Sequence, residues 1–442
     1  MMPHEKVYLK MIRLVLTVGL ILAGLAHLVP GWAQESATRQ ELLKQQRMTK
    51  AQNLHEEQRS GLEKAALYIQ KDRVIERFSE GWKGFHPVLG GLATGSGFAG
   101  GLRYAPVLKE GALEFELLGA VSTRTYQLYE LRFGAPGLGN GRFFADFYSN
   151  YRSGNRLPFF GLGPDSNNSD RTSFSAETSI FDVTGGVNWT PWLSTGVRAG
   201  YLRTNVGHGK DPRFPSTEDL FTPTQAPGVD VQPNFYHTDA FLVVDYLDSI
   251  GNPMSGGAYQ IKYSYFDDQK LNLYTFRRLD IDAQQYLPFL KKKRVIALRA
   301  RTALTDTSAG QSVPFYMQEF IGGAESLRGF REFRFRDRNL LLFNVEYRWE
   351  AFSGLDLAIF GDAGKVATRR SDIDFKDLKT SAGFGFRFNT FRSVFLRIDV
   401  GFSNEGTRIF FKFGPAFLMR EGDAPPGWRS QNRRKEQKLL GK

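Results

Sequence analysis

The chain has 442 residues, 14% of them aromatic, with 38 Phe and 46 Gly, yet 24% are charged and mean hydropathy is −0.34. That polarity excludes a helical membrane bundle, that ring content excludes a disordered chain, and the lack of Cys excludes disulfide frameworks, thiolate nucleophiles and Cys-based metal sites. The excess of 58 Lys and Arg over 46 Asp and Glu, a net +12, fits nucleic acid, an anionic membrane surface or a basic tail alike.

In chain order, the first element is an apolar run over 14–29, preceded by Lys6, Lys10 and Arg13 and followed by Pro30-Gly31-Trp32-Ala33-Gln34. A positive start, an apolar stretch of ~16 residues and a small residue at the exit predict a secretory signal peptide over 1–33, short of the ~20 residues a spanning helix needs. Residues 34–84 are nearly free of Gly and Pro and rich in Glu, Gln, Lys, Leu and Ala, a helix composition. Their apolar positions, Ala51, Leu54, Leu62, Ala65, Ala66 and Ile69, form a stripe too narrow to build a core. The expectation is a helical segment that docks in a lumen, contacts periplasmic factors, or serves as a tether.

From about residue 85 to 418 the period changes to two. Over 379–389, Thr380, Ala382, Phe384, Phe386 and Phe388 oppose Gly383, Gly385, Arg387 and Asn389. Over 394–402, Val394, Leu396, Ile398, Val400 and Phe402 oppose Phe395, Arg397, Asp399 and Gly401. Over 340–350, Leu341, Phe343, Val345, Tyr347 and Trp349 oppose Leu342, Asn344, Glu346, Arg348 and Glu350, and over 295–304 Ile296, Leu298, Ala300 and Leu304 oppose Arg299 and Arg301. Side chains alternate across a strand, so one face is apolar and aromatic while the other carries full charges. With long strands and an export signal, this predicts an all-β fold: a transmembrane antiparallel β-barrel of about 16 strands, lipid outside and a wet, charged lumen within. Short links near 109–111, 137–140, 190–191, 353–354 and 389–390 alternate with long ones at 154–171, 207–233, 307–338 and 368–377, the expected asymmetry of periplasmic turns and outer loops. Residues 419–442 read as a basic periplasmic tail.

The most distinctive stretch is QEFIGGAESLRGFREFRFRDR over 318–338. A loop folded back into the lumen would bring Arg328 to Asp362 and Glu346 on the next two strands, and a guanidinium fork between two carboxylates is an arrangement Lys cannot reproduce. Gly329 would allow a tight turn beside it and Phe330 would fill lumen space. Ile321-Gly322-Gly323 with Leu327-Arg328-Gly329-Phe330, followed by Phe360-Gly361-Asp362-Ala363-Gly364, resembles the loop and strand-thirteen signatures of the BamA/TamA family of outer-membrane assembly barrels, the bacterial surface antigen family. The resemblance implies an Arg–acid clasp between Arg328 and Asp362, with Glu346 as a second partner. It also implies a role in inserting or translocating proteins or lipids at the bacterial outer membrane, with client proteins or lipids as partners. Only about fifty helix-like residues stand between Ala33 and the barrel, so the resemblance is to a short member lacking POTRA domains.

The closing seam is read as weak. Its first strand, Val88-Leu89-Gly90-Gly91-Leu92, is short and interrupted by Gly90 and Gly91, and the last, ending Phe411-Lys412-Phe413, is followed by Pro415, which cannot donate to a ladder. Gly95-Ser96-Gly97-Phe98-Ala99-Gly100 matches a dinucleotide fingerprint literally but lies between strands, and reads as a glycine-rich hairpin. The 165–170 segment lacks the Gly of a calcium loop, His residues are scattered, and no G-x-S-x-G occurs. The expectation is a non-enzyme with neither cofactor nor metal and no nucleic-acid partner; the basic residues Arg331, Arg334 and Arg336, interleaved with Phe333 and Phe335, are taken to pair with wall acids. Two other functions fit the pattern: a passive anion-favouring pore lined by Arg299, Arg301, Arg387 and Arg397, and a structural or adhesive surface barrel acting through its long loops.

Overall fold

Strict alternation commits each segment to a sheet with two unlike faces, and closing that sheet is how it hides its edges. The computed structural model describes residues 83–417 apart from 94, 110–111, 291, 353 and 391–392. The expected signal peptide over 1–33 and the expected basic tail over 419–442 lie outside the described residues, as do all but the last two residues of the expected helical segment over 34–84. Nineteen strands are present: β1 (Phe85–Gly90), β2 (Ala99–Tyr104), β3 (Val107–Leu108), β4 (Leu113–Ser122), β5 (Gln127–Gly137), β6 (Phe143–Phe159), β7 (Thr172–Thr190), β8 (Leu193–His208), β9 (Asn234–Asp245), β10 (Gly256–Asp268), β11 (Phe276–Phe289), β12 (Arg294–Thr307), β13 (Glu319–Ile321), β14 (Phe335–Asp337), β15 (Asn339–Phe352), β16 (Leu355–Ala367), β17 (Lys379–Asn389), β18 (Val394–Ser403) and β19 (Gly406–Lys412). β13 and β14 form their own hairpin, and the two-residue β3 extends β2 along β4. Sixteen staves remain, each antiparallel to its chain neighbours, making a nearly closed barrel. No ladder joins β1 to β19 among the described residues; the edges meet where Gly90 faces the Phe413 ring.

The wall is apolar outside and charged inside. Val183 and Val197 are 62% and 63% exposed, and Phe384 and Phe388 also point outward. Arg387, Arg397, Asp399 and Glu346 are buried within. One expected pair is reversed: Val394 is buried and Phe395 faces out against Phe413, because a register shift at Phe388/Asn389 adds a residue there and flips the phase.

The long connections 160–171, 209–233, 308–338 and 368–378 all emerge at one end, here the loop end. There Phe315 packs on Phe159 and Phe174, with ring centroids 4.8 and 4.9 Å apart, in a cluster with Val206, Ala226 and Val229. The turn end has one long connection, 246–255, which alternation did not single out. It folds inward: Ile250 and Met254 pack on a cluster of Phe144, Phe241, Tyr286 and Val295, and Arg348 donates to the Pro253 carbonyl at 2.9 Å. The chain leaving β19 joins the same cluster through Ala416 and Phe417. Pro415 therefore does more than end a ladder, since the backbone beyond it turns into the barrel mouth.

Asp211, in the 209–233 connection, is held down at about 2 chiefly by its hydrogen bond from the Arg213 side chain, whose Nε and Nη2 reach its two oxygens at 2.9 and 2.8 Å. A native value below the unfolded one of 3.8 means the pair stabilises fully above that pH and ceases to as pH falls through about 2. Relative to a denatured control that corrects for the protease's own pH dependence, pepsin should therefore cut this loop faster at pH 2 than at pH 4, and Arg213→Ala should erase that relative difference. Equal corrected cutting of the native chain at both values would refute this.

Candidate functional site

The site is built by four consecutive staves and one loop. Register places Asn344 of β15, Asp362 of β16 and Ser381 of β17 side by side, and one pair further along Glu346, Phe360, Gly383 and Gly401 of β18. All point into the lumen because they share one parity. Into this row the 308–338 loop lowers its tip.

Arg328 is 1% exposed. Its Nη2 lies 2.7 Å from Asp362 Oδ1, its Nε 3.1 Å from Oδ2, and its backbone N donates to Oδ2 at 3.0 Å. Its Nη1 donates to Glu346 Oε2. The guanidinium carbon sits 3.5 Å from the Phe360 ring centroid, so the ring carries the cation from below while two carboxylates hold its edge. Asn344 and Ser381 donate to the Asp362 oxygens at 2.8 and 3.1 Å, fixing the carboxylate from the wall side. Neither was singled out by sequence; alternation places them inward but cannot say which neighbour they face.

The chain of charges continues along the wall. Arg387 reaches Glu346 at 2.8 Å and Asp399 at 2.6 Å, and Arg397 reaches Asp399 at 3.2 Å and Glu325 of the loop. Arg299 pairs with Asp282, and Arg301 with Asp280 at 3.1 Å and Glu319 at 2.8 Å. The four arginines expected to line an anion-favouring passage are thus each paired with an acid. Pairing follows from register and loop placement, which composition does not encode.

Leu327 and Phe330 are buried with Ile321, Phe335, Leu340 and Leu342, anchoring the tip on either side of Arg328. Gly329 is needed for a different reason than a tight turn: its φ is unexceptional, but a Cβ there would stand 2.6 Å from the Phe402 carbonyl oxygen. The left-handed positions belong to Gly322 and Gly323, at φ 111° and 99°. Gly401 and Gly383 leave a trough in the wall, where a Cβ on Gly401 would lie 2.1 Å from the Arg328 carbonyl oxygen. Of the strand-thirteen motif, Phe360 and Asp362 touch Arg328, Gly364 packs against the Leu341 carbonyl, and Gly361 faces outward with nothing near it.

The remaining loop arginines follow the expected pattern in part. Arg334 pairs with Glu405 at 2.8 Å, whereas Arg336 donates to the Phe315 carbonyl at 2.8 Å. At the seam, Gly90 closes β1, Gly91 lies beyond it, Phe411 is on β19 facing out, and Phe413 and Pro415 follow β19. His208, Glu218 and Asp219 form the one group with metal-ligand spacing among the described residues. They are exposed, and Asp219 already accepts from the Ser216 backbone at 3.1 Å.

Residues 111–416 match the Omp85 superfamily domain. Among solved structures, the fold is similar to BamA from Haemophilus ducreyi lacking POTRA domains 1-3, at TM-score 0.52 and 15% identity, covering 79% of this chain and 77% of that one. CdiB from Escherichia coli matches at TM-score 0.49 and 12% identity over 75% of this chain and 62% of its own. No curated protein sequence matches the chain.

Proposed function

The chain belongs to the Omp85 superfamily, and from that premise we propose that it resides in the bacterial outer membrane and aids the insertion or translocation of proteins or lipids there. The observation that carries the reading is the loop tip locked inside the barrel, with Arg328 between Asp362 and Glu346, next to a seam with no ladder among the described residues. Strand edges left unpaired are templates for another strand, and the lock keeps the adjoining wall rigid while the seam yields. The apolar outer belt supports the location, and the long loops at one end support an orientation with that end outward. The role we propose is a mechanical one and not an enzymatic one. Clients are outer-membrane proteins or lipids, with lipid around the belt.

A passive anion pore finds less support, because Arg299, Arg301, Arg387 and Arg397 are neutralised in place. The test is depletion in the native host with quantitative profiling of outer-membrane proteins and lipids. Particular clients should fall in level and return with the wild-type chain but not with Arg328→Ala. Unchanged protein and lipid profiles would reject the reading.

A further inference from the structure

At the loop end, apart from the Arg328 site, guanidiniums are strung along two rings. Arg213 and Arg171 share Phe214, at 5.6 and 3.9 Å from its centroid, and Arg171 shares Phe160 with Arg334, at 5.9 and 5.2 Å. Arg334 leads to Glu405, whose carboxylate it holds at 2.8 Å and whose backbone carbonyl accepts from Arg408 at 3.3 Å. Arg331 lies close enough to repel Arg171, Arg334 and Arg408 alike. These five cations face three acids, Asp170, Asp211 and Glu405, of which Asp211 is engaged by Arg213 and Glu405 by Arg334. The adjacent Glu332 meets Lys412 at 4.0 Å.

Like charges held together in a half-buried place repel unless a counter-charge joins them. The strain registers at Arg171, where burial, then Arg331, lowers the guanidinium below its ordinary value against the opposing pull of Asp211, with Arg213 adding a smaller push down. The Nε atoms of Arg171, Arg331 and Arg408 are shielded from solvent and make no hydrogen bond among the described residues. Stacking on Phe160 and Phe214 sets the Arg171 fork in advance, which reduces what a ligand must order. Planar forks of this kind suit the oxygens of phosphate.

We propose that this rim cluster binds a phosphate-bearing anion, gripped between Arg171, Arg331 and Arg408. The proposal stands apart from the assembly reading. Two sources carry the chemistry: the phosphate of a membrane headgroup and free inorganic phosphate. Arg408 is on β19, the seam strand, so a headgroup has a side entrance as well as the open end.

The test titrates the full chain in uncharged micelles with inorganic phosphate and, separately, with micelles doped with a bis-phosphorylated glucosamine lipid, read by calorimetry. Binding of the lipid but not of phosphate assigns a headgroup; binding of phosphate assigns the free anion. Arg171→Gln combined with Arg331→Gln should weaken the bound probe roughly 10–100-fold while keeping the folded gel form. If the double variant loses that form, Arg331→Gln alone, which removes no hydrogen bond among the described residues, should still weaken binding about 10-fold. No binding of either probe, or unchanged affinity in the folded variant, overturns the proposal.

Discussion

Arg328→Ala is expected to lower the thermal midpoint of the barrel by about 5–10 °C, the largest effect of any single truncation in the lumen. Removing one member of a buried pair leaves its partner charged and uncompensated, a cost of roughly 3–5 kcal/mol. Asp362 would keep only the neutral donors Asn344 and Ser381, and Glu346 only its arginines on the wall. Arg328→Lys should recover less than half of the loss, because one ammonium cannot serve two carboxylates from above the Phe360 ring. Arg213→Ala, at a 60% exposed side chain, is the contrast and should change little at neutral pH. Thermal unfolding in micelles, read by intrinsic fluorescence and gel mobility, checks the series. An unshifted midpoint for Arg328→Ala would mean the clasp contributes nothing.

Gly401→Val should expel the loop tip without touching any charge. Its backbone is unstrained, so the effect is purely steric: even a first carbon would meet the Arg328 carbonyl oxygen at 2.1 Å and the Gly329 nitrogen at 2.8 Å. Overpacking of this kind costs roughly 1–3 kcal/mol when neighbours yield, and here both neighbours are backbone. A cysteine placed at Ser326, now 8% exposed, should become reactive to a water-soluble maleimide in the Gly401→Val background and remain protected otherwise. Gly361→Ala is the control: it lies beside Asp362 in sequence, yet a Cβ there meets nothing within 4 Å, so the change should stay within about 0.5 kcal/mol. Equal labelling in both variants would remove Gly401 from the site.

These contrasts mark what could be read from the chain alone. The faces of β15 and β17 follow from alternation, because parity is local: Phe384 and Arg387 needed no knowledge of their neighbours. The pairing of Arg328 with Asp362 was legible through chemistry and resemblance together. Which acid serves Arg387 or Arg397 was not, since that depends on the register of β15 to β18 and on where Glu325 descends. The phase change at Val394 escaped for the same reason, as a shift in pairing leaves no mark in composition. Gly401 and Gly329 were visible as residues but not as a fitted contact, because their role is to leave room where a backbone from 73 positions away passes.

The inward course of the chain after β19 ties the seam to the clasp. Phe417 lies 5.8 Å from the Arg328 guanidinium carbon and is buried among the mouth residues, four positions past Phe413 at the gap. Prising the terminal stave sideways must first draw that ring from its socket, like a pin from a hinge. On the proposed insertion role, a client strand entering at the seam would thus also loosen the grip on the tip.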